Sequence, residues 1–280
     1  MSAERDIKFT AADFRRLRQM LYQRVGIALN DSKSHMAYSR LVKRVRQLGM
    51  RQFSDYLDLL DSNVDEEEWQ HFVNALTTNL TAFFREPHHF DLLRLHALER
   101  AGQDRVYRVW SAAVSTGEEA YSIAITLLSL PQLNRKRLEL VASDIDTRVL
   151  SHAADGIYDA DRAKALDEAQ LKRFFLRGVG RNAGKIRVRR DVRDQLSFYQ
   201  FNLIAAQWPD MGRFDVIFCR NVLIYFDKPT QAAILQHFAT CLQPDGLLFL
   251  GHSENIQHLC DAFQSCGRTA YRLVNPAVRG

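Results

Sequence analysis

Apolar positions in the N-terminal part of the chain recur every three or four residues, the spacing of one face of an α-helix. Four such segments follow one another up to about residue 85. Their apolar positions are Phe14, Leu17, Leu21 and Val25; Tyr38, Leu41, Val45 and Leu48; Phe53, Tyr56, Leu57 and Leu60; and Trp69, Phe72, Val73 and Leu76. Because each segment is apolar on one side only, the pattern predicts a small bundle of helices.

From about residue 105 the pattern changes to short apolar runs separated by amphipathic segments. The runs that we predict to be strands are 106–113, 138–144, 214–221 and 246–251. Helices are predicted to begin near Glu118 and Thr147. This alternation favours an α/β fold with a doubly wound parallel sheet, and a last strand at 270–274 is expected to form a hairpin at its edge.

Polar, glycine-bearing turns interrupt this alternation. The short apolar stretches between those turns are 174–176, 185–189 and 196–201. The first two predict an inserted antiparallel β-subdomain at about 170–195, and the third is expected to return to the main sheet. The predicted organisation is therefore a helical domain with its connecting segment at 1–85 and an α/β domain at 86–280 that carries the insertion.

Composition and charge exclude several classes of protein. The 280 residues are 46% hydrophobic and 25% charged. This amino-acid composition is typical of globular proteins and excludes a disordered or collagen-like chain. Apolar runs stay far below the ~20 residues that cross a membrane. The N-terminus lacks the apolar core of a signal peptide, so we expect a cytoplasmic protein without direct membrane insertion. The net charge of +5 permits an anionic partner.

The histidines give no sign of a metal centre. An H-E-x-x-H motif is absent, and His88 and His89 are the only adjacent pair. Neighbouring residues on a helix point in different directions, so we expect these two rings to diverge. The sequence therefore predicts no metal site.

Polar side chains follow the predicted strands at the edge where doubly wound sheets bind ligands. Glu119 follows the first strand, Asp144 and Asp146 the second, and Asn202 the insertion. Asn221 comes at the end of 214–221, the fourth strand when the returning stretch 196–201 is counted. The phosphate-binding motif G-x-x-x-x-G-K-[ST] is absent, and carboxylates here would repel a pyrophosphate. They suit a cationic ligand with ribose hydroxyls, such as S-adenosylmethionine. An acid at a strand end can instead cap the next helix.

Five stretches, in order along the chain, carry a resemblance to a known family. They are 74–86 (NALTTNLTAFFRE), 110–122 (WSAAVSTGEEAYS), 142–147 (ASDIDT), 218–226 (FCRNVLIYF) and 251–254 (GHSE). With them the chain resembles the chemotaxis-receptor glutamate methyltransferases, the CheR family, over nearly its whole length. The resemblance implies an S-adenosylmethionine-dependent, Rossmann-like methyltransferase domain with an inserted antiparallel β-subdomain, preceded by an all-α domain.

The resemblance also implies an activity and a place in the cell. It implies an O-methyltransferase that converts specific glutamate side chains of bacterial chemoreceptors into methyl esters and releases S-adenosylhomocysteine. This reaction serves adaptation in chemotaxis, a form of signal transduction. The expected enzyme is cytoplasmic and is recruited to membrane receptor arrays, and its partners are the cytoplasmic methylation helices of the receptors.

Residue roles are implied wherever the chain matches the family's motifs. The positions implied to contact S-adenosylmethionine are Asn79, Thr81, Arg85, Glu119, Asp144, Asn202, Leu203, Asn221 and Val222. Asn79, Thr81 and Arg85 would close over the cofactor from the segment joining the domains. Glu119 would hold the methionine end, and Asp144 would accept from the ribose hydroxyls. Asn202 and Leu203 would flank the adenine. Asn221 and Val222 would line the cleft beneath the sulfur.

Arg85 and Tyr225 are predicted to orient the substrate carboxylate. A glutamate side chain is already ionised at pH 7, and the methyl group of a sulfonium is already activated. A general base is therefore not needed, and alignment supplies most of the catalysis. A guanidinium or a tyrosine hydroxyl can orient a carboxylate oxygen. The alternatives are a structural ion pair for Arg85 and core packing for Tyr225.

Two basic surfaces are predicted to meet an acidic partner. The first consists of Arg40, Lys43, Arg44, Arg46 and Arg51. We interpret it as a docking strip for a glutamate-rich receptor helix, the alternative being a solvated helix face. The second, in the β-subdomain, consists of Arg177, Arg187 and Arg189. Some members of the resembled family bind a short peptide from the receptor's C-terminus with this subdomain. Such an extended peptide can pair with the edge of a sheet as an additional strand.

Two other functions stay open at this point. A methyltransferase acting on DNA amino groups carries an N-P-P-Y-like loop after the fourth strand. Here residues 221–225 read NVLIY, without a proline pair, so we expect no nucleic-acid partner. A non-enzymatic module that binds the cofactor as a sensor is the second alternative. The presence of every expected cofactor position argues against it.

Overall fold

The computed structural model describes residues 7–62 and 65–274. Contacts divide the chain into two units. Of these residues, the first unit comprises 7–62 and 65–78 together with Tyr225–Asp227, and the second comprises Asn79–Ile224 and 228–274. Within the described residues, the helices are too short or too polar to cross a membrane.

The first unit is built from amphipathic helices, as the apolar spacing predicts. They are α1 (Ala11–Val25), α2 (Ser34–Gln47), α3 (Phe53–Asp61) and α4 (Glu66–Leu76). A capping box starts α1, in which the Asp13 N–H donates to Thr10 Oγ1 at 3.1 Å and the Thr10 N–H donates to Asp13 Oδ2 at 2.7 Å. Gly26 ends α1 with a φ of +74°. The predicted helical bundle is confirmed.

The second unit alternates strands and helices. Its elements are α5 (His88–Glu99), β1 (Tyr107–Ser111), α6 (Glu118–Leu128), β2 (Leu138–Asp144), α7 (Thr147–Asp155), β3 (Ile157–Asp159), α8 (Glu168–Phe174), β4 (Phe175–Arg177), β5 (Lys185–Val188), α9 (Arg190–Arg193), β6 (Leu196–Gln200), β7 (Phe214–Cys219), α10 (Lys228–Cys241), β8 (Leu242–Leu250), β9 (Phe263–Gly267) and β10 (Ala270–Leu273). The segment 79–85, which the sequence prediction joined to the helical domain, lies in this unit. Phe83 explains the placement, since it is buried in the core of the second unit.

Seven strands form the main sheet, in the order β6-β2-β1-β7-β8-β10-β9. The first five are parallel, whereas β10 runs antiparallel to both β8 and β9. The predicted parallel sheet with a closing hairpin is therefore confirmed. The chain builds outward from β1 on one side and then from β7 on the other, so the topological switch point lies between β1 and β7.

A small antiparallel sheet, in the order β3-β5-β4, forms the insertion. The sequence predicted β4 and β5 and the return of the chain through β6, which pairs in parallel with β2. It did not predict β3, which comes ahead of the expected bounds of 170–195. A strand of three residues, Ile157–Asp159, is too short to show the alternation on which such a prediction depends.

Candidate functional site

Glu119 lies in the first turn of α6, just beyond the carboxyl end of β1. Its side chain is buried. One oxygen, Oε1, accepts a hydrogen bond from Ser111 Oγ at 2.8 Å, and the other, Oε2, lies 3.3 Å from Arg220 Nη1. Burial raises the pKa of Glu119, and the Arg220 charge offsets part of that rise. The sheet thus presents a carboxylate at its switch point.

Asp144 ends the neighbouring strand β2 and is 8% exposed. Its Oδ2 accepts from the Ser115 N–H at 2.8 Å, and its Oδ1 accepts from the Asp146 N–H at 3.0 Å. Burial nevertheless raises the pKa of Asp144 to about 6. Each carboxylate oxygen can accept more than one hydrogen bond, so this side chain can still bind hydroxyl donors of a ligand.

Asp146, also predicted at this edge, has a structural role. It is the N-cap of α7, and its Oδ1 accepts from the Arg148 N–H at 3.0 Å. Its Oδ2 also accepts from Asn79 Nδ2 at 3.0 Å. The capping alternative therefore applies to Asp146, which in addition holds the first residue of the loop 79–86.

The loop 79–86 is strained near its end, where Phe84 and Glu86 have φ values of +52° and +58°. Arg85 is half-buried, and its Nη1 donates to the Leu80 carbonyl at 3.0 Å. The Phe84 N–H donates to Ser122 Oγ of α6 at 2.9 Å. Local contacts thus fix the conformation of the segment that carries Asn79, Thr81 and Arg85.

Asn221 follows β7 with a φ of +59°. Its backbone N–H donates to Glu254 Oε2 at 2.8 Å, and the Gly251 N–H donates to the same oxygen at 2.6 Å. A Cβ atom at position 251 would lie 2.1 Å from Asn221 Nδ2. The motif residues Gly251 and Glu254 therefore hold Asn221 in place. The half-buried Val222 follows it directly.

Asn202 and Leu203 follow β6 at the same edge of the sheet. Asn202 Oδ1 accepts from the Ile204 N–H at 3.2 Å and so shapes the turn. Leu203 is 7% exposed. The ends of β6, β2, β1 and β7, which are neighbours in the sheet, thus carry an amide, two carboxylates and a second amide side by side.

Comparison with known protein families gives a match for each of the two units. The sequence profile described as "CheR methyltransferase, all-alpha domain" matches residues 12–77, and that described as "CheR methyltransferase, SAM binding domain" matches residues 79–272. The chain belongs to the CheR methyltransferase family. It is therefore an S-adenosylmethionine-dependent methyltransferase, as the resemblance implies, and the prediction of its cofactor is confirmed.

Two chemotaxis protein methyltransferases agree with this assignment. A chemotaxis protein methyltransferase of Escherichia coli K12 is 53% identical over 94% of this chain and 91% of its own length. Chemotaxis protein methyltransferase 2 of Pseudomonas aeruginosa is 48% identical over 95% and 94%. Among solved structures, the N-methyltransferase NodS of Bradyrhizobium japonicum with S-adenosyl-L-homocysteine has a TM-score of 0.40 and 16% identity, covering 79% of this chain and 98% of that one.

The donor set of the second unit fits the cofactor of this family. S-adenosylmethionine carries a sulfonium and an ammonium, and the buried Glu119 and Asp144 supply carboxylates at adjacent strand ends. All nine residues predicted to contact it lie in the second unit. Tyr225, predicted to be catalytic, belongs to the first unit, where its carbonyl accepts from the Ala28 N–H at 2.9 Å. Its catalytic role stays a prediction.

Arg220 is a site residue that the sequence analysis quoted but did not assign. Its side chain is 1% exposed, with Nη1 beside Glu119 and Nη2 lying 3.6 Å from Glu86 Oε2. It also donates to the carbonyl of Arg85. Arg220 therefore links Glu119 of α6 to the end of the loop 79–86. The sequence feature that could have pointed to Arg220 is its place within the motif FCRNV. The sequence alone does not show, however, that this arginine is buried.

The expectation that His88 and His89 diverge is wrong. Their rings are 4.2 Å apart, and both Nε2 atoms contact the Arg268 carbonyl, at 3.2 and 2.9 Å. With Glu86 they bring possible metal-ligand atoms within 4.8 Å of one another. The Arg220 guanidinium already lies 3.6 Å from that carboxylate, however, and the Arg268 carbonyl already occupies both Nε2 atoms. Burial together with Arg220 lowers the pKa of His89 to about 4, so its ring is neutral at pH 7.

Two members of the predicted docking strip have contacts within the first unit. Arg44 Nε donates to Glu68 Oε2 at 2.9 Å, and Glu68, which is 2% exposed, also accepts from Tyr56 Oη at 2.8 Å. Arg40 Nη1 donates to the Thr77 carbonyl at 2.6 Å, beyond the end of α4. The other members, Lys43, Arg46 and Arg51, are exposed.

The predicted basic residues of the small sheet also differ in environment. Arg177 is exposed at the end of β4. Arg187 Nε donates to the Asp155 carbonyl at 3.3 Å, and Arg189 Nη2 donates to the Lys172 carbonyl at 3.2 Å. Arg177 is therefore the member best placed to meet a partner.

Proposed function

We propose that this CheR-family enzyme methylates glutamate side chains of bacterial chemoreceptors and forms methyl esters that serve adaptation. The observation that carries the proposal is the pair of buried carboxylates, Glu119 and Asp144, at the ends of β1 and β2. They suit a cationic nucleoside as methyl donor. The choice of acceptor is supported by the relatives at 53% and 48% identity, which are chemotaxis protein methyltransferases.

The chain's own residues bind and orient the cofactor in this proposal. Bound S-adenosylmethionine supplies an activated methyl group on a positively charged sulfur. Glu119, held by Ser111 and Arg220, faces the positive methionine end. Asp144 accepts from the ribose hydroxyls, and Asn202 and Leu203 flank the adenine. Asn221 and Val222 line the cleft near the sulfur, and Asn79, Thr81 and Arg85 cover the ligand.

Catalysis rests on alignment of an acceptor that is already reactive. A glutamate carboxylate is ionised at pH 7 and needs no general base. Arg85 orients it through a charge-assisted hydrogen bond, and Tyr225, four residues beyond Asn221, offers a hydroxyl for the same task. Holding the carboxylate in line with the methyl group supplies roughly 7–11 kcal/mol toward the barrier.

Base treatment of the methylated product tests the proposed reaction. The enzyme is incubated with methyl-labelled S-adenosylmethionine and receptor-containing membranes, and the product is then exposed to alkali. A carboxyl methyl ester releases volatile labelled methanol, which is the expected result. Label that stays bound under alkali would indicate an N-methyl product and would contradict the proposal. Cofactor binding without any transfer would favour the sensor alternative.

The exposed basic residues of α2 and its following turn are proposed to dock the receptor. Lys43 and Arg51 make the sharper test, because Arg40 and Arg44 also stabilise the first unit itself. Lys43→Glu with Arg51→Glu is expected to raise the KM for receptor and to leave the KM for S-adenosylmethionine unchanged, since surface charge mainly steers association. An unchanged receptor KM at low salt would refute the docking strip.

A receptor C-terminal peptide is proposed to bind the small sheet and to recruit the enzyme to receptor arrays. β4 is an edge strand of that sheet, and Leu176 and Val179 beside Arg177 are 48% and 80% exposed. An apolar and basic edge suits an extended peptide with acidic side chains. Titration with such a peptide should show binding that Arg177→Glu weakens; absence of binding to the unmodified enzyme would count against recruitment by this route.

A further inference from the structure

Arg162 lies on the one-turn 3-10 helix Ala160–Ala163 that follows β3. Its Nε donates to Glu118 Oε1 at 3.1 Å, and its Nη2 also contacts that oxygen. The same Nη2 donates to the Thr81 carbonyl at 3.1 Å. One guanidinium therefore joins the first residue of α6 to the middle of the loop 79–86.

Glu118 is a fixed anchor for this guanidinium. It is fully buried, and its second oxygen accepts from Thr116 Oγ1 at 2.6 Å. A buried carboxylate strongly requires a paired cation, so the Glu118 charge holds Arg162 in place. The planar fork of arginine can then serve a second acceptor without further ordering.

Aromatic side chains of the small sheet contact the loop 79–86 and the turn that precedes α6. Tyr158 of β3 donates its hydroxyl to the Thr116 carbonyl at 2.7 Å. Its ring packs edge-on against Phe83 at 5.1 Å, and Phe175 of β4 packs against Phe83 at 5.7 Å. A Cβ atom at Gly117 would lie 2.6 Å from the Tyr158 hydroxyl, which shows how closely β3 approaches the turn after β1.

We infer that Arg162 is a positioning residue for cofactor binding and that the β-subdomain is a structural part of the cofactor site. Arg162 contacts the carbonyl of Thr81 and the side chain of Glu118, which directly precedes Glu119. Because Thr81 and Glu119 are proposed to contact S-adenosylmethionine, the inference rests on the proposed function. Without the Arg162 contact, the carbonyl of Thr81 loses its link to α6. The other contacts of the loop 79–86 remain, but its middle is held less tightly, so part of its ordering is left to ligand binding. That ordering weakens affinity.

Two variants and a control separate positioning from folding. Arg162→Gln removes the link but leaves the Glu118 charge buried without its partner. Glu118→Gln combined with Arg162→Gln removes the charge as well, so the fold no longer carries an unpaired ion. Lys164→Gln changes an exposed cation on the same turn and is the matched control. Calorimetry measures the Kd for S-adenosylhomocysteine, and kinetics give KM and kcat.

Both Arg162 variants are expected to raise the Kd for S-adenosylhomocysteine and the KM for S-adenosylmethionine by roughly tenfold, the size of one hydrogen bond to a charged group. The kcat at saturating cofactor should stay near that of the unmodified enzyme, and Lys164→Gln should bind normally.

Three results would overturn the inference. One is an unchanged Kd in both Arg162 variants. Another is a Kd that rises in the single variant and returns to normal in the double variant, since the effect would then come from the unpaired charge. The third is an unmodified enzyme that does not bind S-adenosylhomocysteine, and this result alone would also overturn the proposed function.

Discussion

Cofactor binding by this enzyme is expected to weaken below about pH 6, because Asp144 then loses its charge. Burial raises the pKa of Asp144 to about 6, although its oxygens accept backbone N–H groups from Ser115 and Asp146. An ionised carboxylate only accepts hydrogen bonds, whereas the protonated form commits one oxygen to donating. The ribose hydroxyls therefore find their best acceptor only above the pKa of this group.

The magnitude follows from the pKa. If the ligand binds only the ionised form, the apparent Kd is multiplied by a factor of one plus the ratio of protonated to ionised Asp144. With a pKa of about 6, that ratio is ~10 at pH 5 and negligible at pH 8. Binding should therefore weaken roughly tenfold over this range, which corresponds to about 1.4 kcal/mol.

Calorimetric titration with S-adenosylhomocysteine from pH 5 to pH 8 measures this effect. Asp144→Asn should bind more weakly at pH 8, by roughly ten- to a hundredfold, because the charged acceptor is lost, and its affinity should no longer follow the titration of position 144. Asp161→Asn, at an exposed position of the same unit, is the control and should keep the slope of the unmodified enzyme. A flat profile for the unmodified enzyme, or the same slope in Asp144→Asn, would refute the reasoning.

Three further substitutions follow from contacts in the two units. Gly251→Ala places a Cβ 2.1 Å from Asn221 Nδ2, so we expect Asn221 to be displaced and the calorimetric affinity for S-adenosylhomocysteine to fall; normal affinity would contradict this. Arg85→Ala should lose most methyl transfer at an unchanged Tm, and near-normal kcat would remove Arg85 from the mechanism. Arg44→Ala leaves the buried Glu68 without its cation, which should cost about 3 kcal/mol in urea unfolding; an unchanged midpoint would disprove that role.

Much of the fold could be predicted because its helices and strands follow from the local spacing of apolar residues. The helices of the first unit and the parallel strands of the second each show their own spacing of apolar residues. The carboxylates Glu119 and Asp144 could also be placed, because Glu119 starts the helix that follows β1, Asp144 ends β2, and parallel strands end at one edge of the sheet. These predictions needed no knowledge of long-range contacts.

The arginines of the site could not be predicted in this way. Arg220 and Arg162 resemble any surface arginine in the sequence, and only the folded chain brings Glu119 and Glu118 against them. The convergence of His88 with its neighbour depends in the same way on the Arg268 carbonyl, which lies 180 residues further along the chain. Burial of a charged group is a property of such distant contacts.

The buried carboxylates of the second unit oppose its folding and favour ligand binding. Burial raises the pKa of Glu119, Asp144 and Glu254 above their ordinary values. For Asp144 the folded pKa of about 6 exceeds the unfolded value of ~3.9, so the folded state binds this proton more tightly. Its contribution to the free energy of unfolding therefore falls as the pH rises from about 4 to 6 and stays lowered at neutral pH, by roughly 3 kcal/mol. A ligand that brings positive charge and hydroxyl donors to this edge restores part of that loss, which couples the stability of the enzyme to its cofactor.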